Sequence, residues 1–210
     1  MTDVYLEVGK QRAFACAVDW PGWCRAAKTP DQALEALAAY APRYAEVARE
    51  AGVTFPKSAT SFKVVERVQG SASTDFGVPG TVREQDAKRL SAAQAKRLAS
   101  LMEAAWTVFD RVVSKAPPSL RKGPRGGGRD RDKIVEHVLG AESGYGRQIG
   151  LRLSQPDPGD RKAVAANRSE MLAALRNGVD TMKWPPNYAA RRITWHVLDH
   201  AWEIQDRSEQ

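Results

Sequence analysis

Apolar and polar positions alternate through residues 3–19, DVYLEVGKQRAFACAVD, with Val4, Leu6 and Val8 on one face and Tyr5 and Glu7 on the other. A period of two is the signature of a strand. GKQR supplies a turn, and the next run sets Phe14, Cys16 and Val18 on one face, so the two segments predict an antiparallel hairpin. WPGW at 20–23 reads as a turn, with Pro21 and Gly22 in favoured positions, and CRAAK after it predicts a short third strand. At Thr29 the period changes. Thr29 can cap a helix, Pro30 suits the first helical position and Gln32 is placed for a capping box. One helix is expected over about 30–50, burying Ala33, Leu34, Leu37 and Tyr44 and ending at Gly52. SFKVVERVQ, 61–69, returns to the strand pattern. Residues 1–70 therefore predict an α+β domain of order β-β-β-α-β.

Residues 71–87 are expected as a linker, since GSASTDFGVPG is rich in Gly, Ser and Pro. Beyond it the period is helical. Ser91 can cap a helix that carries Leu98, Met102, Ala105 and Phe109 near one face. PPSLRKGPRGGG stops it, and Asp130 or Asp132 can start a second helix with Ile134, Val138 and Tyr145 among its apolar positions. SQPDPGD separates that helix from a third, and KWPPN separates the third from a fourth. Four helices of similar length joined by short connections predict an all-α, up-and-down four-helix bundle over 88–210.

Composition narrows the class of protein. The chain has 210 residues, 42% hydrophobic and 27% charged, a globular composition with enough length for one large or two small cores. No apolar run approaches the length of a membrane span. MTDVYLEVGK has no basic flank followed by an apolar stretch, so a cytoplasmic location is the default expectation. The two cysteines, Cys16 and Cys24, lack CxxC spacing and do not suggest a disulfide scaffold. The formal net charge of +7 admits an anionic partner, but basic charge alone says nothing about the fold and equally serves solubility. Nucleic acid ranks below a small-molecule partner, because no basic groove interleaved with aromatics and no recognisable binding motif is present.

Histidine is the scarce residue. There are three, and two of them, His196 and His200, stand four apart in ITWHVLDHAWEIQDR. On a helix they lie about 40° apart around the axis and about 6 Å apart along it, so both rings can reach one ion. A third ligand must come from another helix, and His137 sits on one that can adjoin it. The spacing alone leaves a second reading open, in which the pair is solvated or belongs to the core. Glu203, one turn from His200, is placed to accept an imidazole N–H. Tyr145, two turns beyond His137, can line the same pocket. Trp195 and Trp202 read as packing residues, and Asp199 as part of a solvated helix face.

The histidine in IVEHVLGAE, the pair in WHVLDHAWEIQDR and the four-helix pattern over about 88–207 resemble the DinB-like superfamily. That resemblance implies a four-helix bundle with a divalent-metal site made by His137, His196 and His200. It also implies chemistry of the thiol-dependent transferase or isomerase kind, with mycothiol, bacillithiol or glutathione. Imidazole suits zinc, nickel and iron alike, so the metal stays open among the three. Its role would be to hold a water or thiolate in an open position and lower its pKa. FACAVDWPGWCRAAKTPDQALEALAAYA, within about 3–69, is similar to the HicB antitoxin-like fold. HicB antitoxins usually carry a DNA-binding motif after this unit, and here the helical segment takes that place.

LRKGPRGGGRDRDK at 120–133 combines glycines with Arg125, Arg129 and Arg131 just before a helix start, where backbone N–H groups can meet an anion. It reads as a gate that recruits an anionic substrate or thiol, or as a flexible connection. No catalytic residue stands out. The sequence supports a metal-binding protein performing transfer or hydrolysis on a small electrophile, with a low-molecular-weight thiol. The alternative is a non-enzymatic binding or regulatory protein in which the HicB-like domain docks a partner. A homodimer stays open.

Overall fold

A computed structural model describes residues 1–123, 127–177 and 182–208. The chain is α+β, with a four-stranded mixed sheet and, among the described residues, seven α-helices. The strands are β1 (Thr2–Val8), β2 (Ala13–Ala17), β3 (Cys24–Ala27) and β4 (Phe62–Gln69), in the order β3-β2-β1-β4. β1–β2 is antiparallel, as the alternation predicts; β2–β3 is antiparallel too, and β4 joins β1 in parallel. A parallel neighbour needs a crossover. α1 (Pro30–Ala39) and α2 (Ala41–Glu50) provide it.

Two helices stand where one was expected. The break falls at Tyr40, which ends α1 and starts α2, because Pro42 has no N–H to continue the ladder. Thr29 does cap α1: its hydroxyl accepts from the Gln32 N–H at 3.3 Å. Ala33, Leu37 and Tyr44 are buried as expected, and Leu34 is half-buried. The WPGW turn has Pro21 followed by Gly22 at φ +88°, closed by the Trp23 N–H donating to the Trp20 carbonyl at 3.0 Å. It delivers Trp23 into the core, stacked on Tyr44 at 5.5 Å, with its indole N–H on the Leu37 carbonyl.

Cys16 and Cys24 are direct partners across β2 and β3, and they are disulfide-linked. This corrects the expectation from their spacing. The hairpin, and not a CxxC turn, brings them together.

The sheet is covered on both faces. Val4, Leu6, Ala15 and Ala17 share a core with α1 and α2, and Tyr5, Phe14, Cys16 and Cys24 pack around Trp195 from the far end of the chain. Residues 71–87, expected as a linker, carry α3 (Ala72–Phe76), which lies against β2, and a 3-10 turn (Glu84–Ala87), which lies against the helix formed by Pro186–Ser208. The anchor is Glu7, fully buried, whose carboxylate accepts from the Thr74 hydroxyl at 2.5 Å and the backbone N–H groups of Gly80 and Thr81. A buried carboxylate needs such donors to offset its lost hydration. Asp86 performs a similar task with Arg191, through a bidentate pair in which both side chains are buried.

The four long helices are α4 (Ala92–Lys115), α5 (Arg131–Gln148), α6 (Arg161–Asn177) and α7 (Pro186–Ser208). Ser91 and Gln94 form a reciprocal capping box on α4, and Leu98, Met102, Ala105 and Phe109 are buried. α4 packs on α6 and α7, and α5 packs on α7 and more lightly on α6. The core runs without interruption from the sheet into these helices. α2 lies on α4, Arg25 of β3 pairs with Asp199 at 2.9 Å, and Tyr40 meets the edge of Trp202 at 5.0 Å. No described helix is long and apolar enough to cross a membrane.

Candidate metal centre

α7 is buried along most of its length, yet one stripe of it is polar: Arg192, His196, His200, Glu203 and Arg207. Spacings of three and four place these residues one above another. α5 lies against this stripe and contributes His137. One ligand nitrogen from each of His137, His196 and His200 lies within 4.8 Å of the others. The Nε2 atoms of His137 and His196 are 3.2 Å apart, and the three ring centroids are 4.7–5.0 Å from one another. Two nitrogens bound to one tetrahedral ion at about 2.1 Å stand roughly 3.4 Å apart. The His137–His196 pair already has that spacing.

The electronic state of the rings suits a cation. Metal-binding imidazoles must be neutral. Burial pushes His196 down to about 2, with the charges of His200, Arg192, His137 and Arg129 adding to the effect. Burial also holds His137 below the usual imidazole value, helped by His200 and Arg129 and opposed by Glu203. His200 faces Glu203, with Nδ1 2.8 Å from Oε2. A carboxylate only accepts, so Nδ1 carries a proton and Nε2 is the His200 nitrogen left to face a metal. Glu203 is itself held by Arg207 at 2.7 Å, and Arg207 Nε donates to the Arg121 carbonyl. Burial alone would raise the Glu203 carboxyl, but His200 and Arg207 outweigh it and keep it below its ordinary value. His196 Nδ1, by contrast, is buried with no hydrogen-bond partner among the described residues.

The other expected residues fall out as follows. Tyr145 meets the His196 ring edge-on at 5.5 Å, and burial raises its phenol against the pull of Arg192. Trp195 is a packing residue, T-shaped on Phe14 at 6.2 Å, and Asp199 points to Arg25 instead of the histidines. Arg129 is exposed and its charge reaches His137 and His196. Arg131 is turned away, donating to the Ala116 carbonyl and pairing with Asp132. Arg125 lies outside the described residues. Gly128, at φ +121°, lets the loop close on Arg207: a Cβ there would stand 2.8 Å from Nη2. Two residues of the polar stripe, Arg192 and Arg207, escaped the sequence reading. Both are legible in retrospect, one turn before His196 and one turn after Glu203.

A separate cleft of about 770 Å³ opens between α4, α5 and α6, over Phe109, Leu139 and Leu172. None of the histidines lines it. Trp106 and Arg168 line it and both engage the buried Glu142, with the Trp106 indole donating to Glu142 at 2.8 Å. Comparison with family models, with curated proteins and with solved structures finds no match to this chain.

Proposed function

We propose that the chain is a metal-binding protein of the DinB-like kind, in which α4–α7 form the up-and-down bundle and His137, His196 and His200 hold one divalent ion. We infer that its activity is transfer or hydrolysis on a small electrophile, with a low-molecular-weight thiol as co-substrate. The observation that carries this reading is the convergence of all three histidines of the chain, from two helices, within 4.8 Å. Chance placement of three scarce residues does not also supply burial that disfavours charge on His137 and His196 and a carboxylate on the outer nitrogen of His200. Zinc, nickel and iron all remain candidates, since imidazole serves each.

Three protein ligands leave coordination positions open, the pattern of a reactive site and not of a purely structural one. A bound divalent ion supplies Lewis acidity there and lowers the pKa of a water or thiol. The chain's own part is to fix the rings: α7 sets His196 and His200 one turn apart, Glu203 orients His200, and Arg207 holds Glu203. Tyr145 closes one side against His196. The sheet half, read as HicB-like, braces α7 through Trp195 and Gly22.

The test is metal content with turnover. Protein purified without chelator should carry about one zinc, nickel or iron per chain. His137→Ala and His200→Ala should each lose it. The loaded wild type should transfer a low-molecular-weight thiol to a fluorogenic haloalkane, and the variants should not. Stoichiometric metal with no transfer or hydrolysis would support the binding or regulatory reading instead. No uptake from micromolar zinc or nickel would remove both forms of the metal reading.

A further inference from the structure

Arg191 and Arg192 are neighbours on α7 with opposite fates. Arg191 is locked bidentate to Asp86. Arg192 has no carboxylate within ion-pair reach among the described residues, and its Nη1 is buried without a hydrogen-bond partner. The nearby acids are already engaged: Asp199 with Arg25, Glu203 with His200 and Arg207, Asp86 with Arg191. Unmatched guanidinium nitrogens also occur on Arg25, Arg191 and Arg207, but each of those side chains has an acidic partner and Arg192 has none among the described residues; a charge so placed asks for a counterpart.

Its position supplies one. Arg192 lies one turn before His196 on the same stripe, and the Tyr145 ring touches both: edge-on to His196 at 5.5 Å, and under the Arg192 guanidinium at 5.2 Å. Trp195 flanks the same guanidinium at 4.7 Å. With its flat face against rings, a guanidinium offers its donors in plane, the fork that fits a carboxylate. Charge balance points the same way. Imidazole ligands bring no negative charge to offset a divalent ion, and the neighbouring Glu203 is already matched by Arg207.

We propose that Arg192 is the anion-binding residue of the three-histidine site, and that the site takes a small aromatic or apolar organic acid with its carboxylate on Arg192. The proposal rests on the metal reading, which directs the rest of the ligand toward the histidines. The carboxylate's counterpart in the chain is absent because the ligand brings it.

The experiment is calorimetric titration of the zinc-loaded full chain with benzoate, benzamide and inorganic phosphate, on wild type, Arg192→Met and Arg192→Lys. Benzoate should bind wild type and lose roughly tenfold or more in affinity in Arg192→Met. Arg192→Lys should recover part of that loss, because it keeps the charge but not the fork. Benzamide should bind weakly and equally to all three. Equal benzoate binding in wild type and Arg192→Met, benzamide binding as tight as benzoate, no benzoate binding at all, or tighter binding of phosphate than of benzoate would each overturn the proposal. If the chain takes no zinc, the metal reading fails by itself. Benzoate titrated into the metal-free protein then decides Arg192: a loss in Arg192→Met sustains its role, and no binding removes it. Matching circular dichroism and melting temperature among the variants shows that folding is not what changed.

Discussion

Gly22 is where the sheet half meets the helix that carries two of the histidines, and Gly22→Ala tests that contact quantitatively. The residue has φ +88°, and a Cβ added to it would stand 2.7 Å from Thr194 Cγ2, 2.9 Å from Leu198 Cδ1 and 3.0 Å from the Thr194 carbonyl carbon. Thr194 and Leu198 are fully buried, and the third contact is backbone, so none can swing aside cheaply. The left-handed conformation costs an L-residue about 1–2 kcal/mol. Overpacking adds about 1–3 kcal/mol, for a total of about 2–5 kcal/mol. For a chain of this size that is about 4–20 °C in melting temperature. Gly52→Ala is the control. Its φ is +66°, but nothing lies within 4 Å of the added Cβ, so it carries the conformational cost alone. Guanidinium denaturation of both variants separates the two contributions. The account predicts that Gly22→Ala loses about 1–3 kcal/mol more than Gly52→Ala. A difference under about 0.5 kcal/mol, the scatter of surface substitutions, would mean that the turn is not seated on α7 as described.

Other substitutions probe the site and its supports. Glu203→Gln should lower zinc affinity about 10–100-fold in a chelator competition while leaving the circular dichroism spectrum unchanged; an unaltered affinity would take Glu203 out of the site. Metal-free protein should lose stability as pH falls below 6.5, the ordinary imidazole value, because the unfolded chain takes up protons there that buried His196 and His137 refuse. The sign follows from depressed folded values: the stability is fully present above 6.5 and is lost on the way down toward about 2. His196→Leu should flatten that slope in urea titrations between about pH 6 and pH 4, and an undiminished slope would contradict the burial argument. Arg168→Met should cost about 3–5 kcal/mol, since it strands Glu142, which burial already pushes above its usual carboxyl value; a loss below about 1 kcal/mol would show that Glu142 is not truly desolvated.

The strands and the first hairpin are legible because alternation and turn residues act locally: Val4, Leu6 and Phe14 declare their faces by period, and Pro21–Gly22 declares the turn; the parallel seat of β4 beside β1 is not, because it depends on the crossover. The caps at Thr29 and Ser91 were legible for the same reason. What escaped was set by tertiary contact. The hydrophobic pattern of 30–50 reads as one helix, and only the backbone chemistry of Pro42 divides it. Glu7 reads only as a strand residue on the face opposite Val4, Leu6 and Val8, and nothing local shows that the segment from Thr74 to Thr81 folds over it. Cys16 and Cys24 become partners only once β2 and β3 are in register. Scarcity and spacing single out the histidines, and the resemblance to the DinB-like superfamily gives them the ligand role. Arg192 is not singled out, because an arginine on a helix is unremarked until its lack of an acidic partner is visible.

X-ray absorption on the zinc-loaded full chain asks the central question most directly: do imidazoles from α5 and α7 share one cation? The account predicts a first shell at about 2.0–2.1 Å with the outer-shell scattering of three imidazole rings, and no zinc retained in that shell by His137→Ala. A first shell of oxygen without imidazole scattering, or one unchanged in His137→Ala, would contradict it.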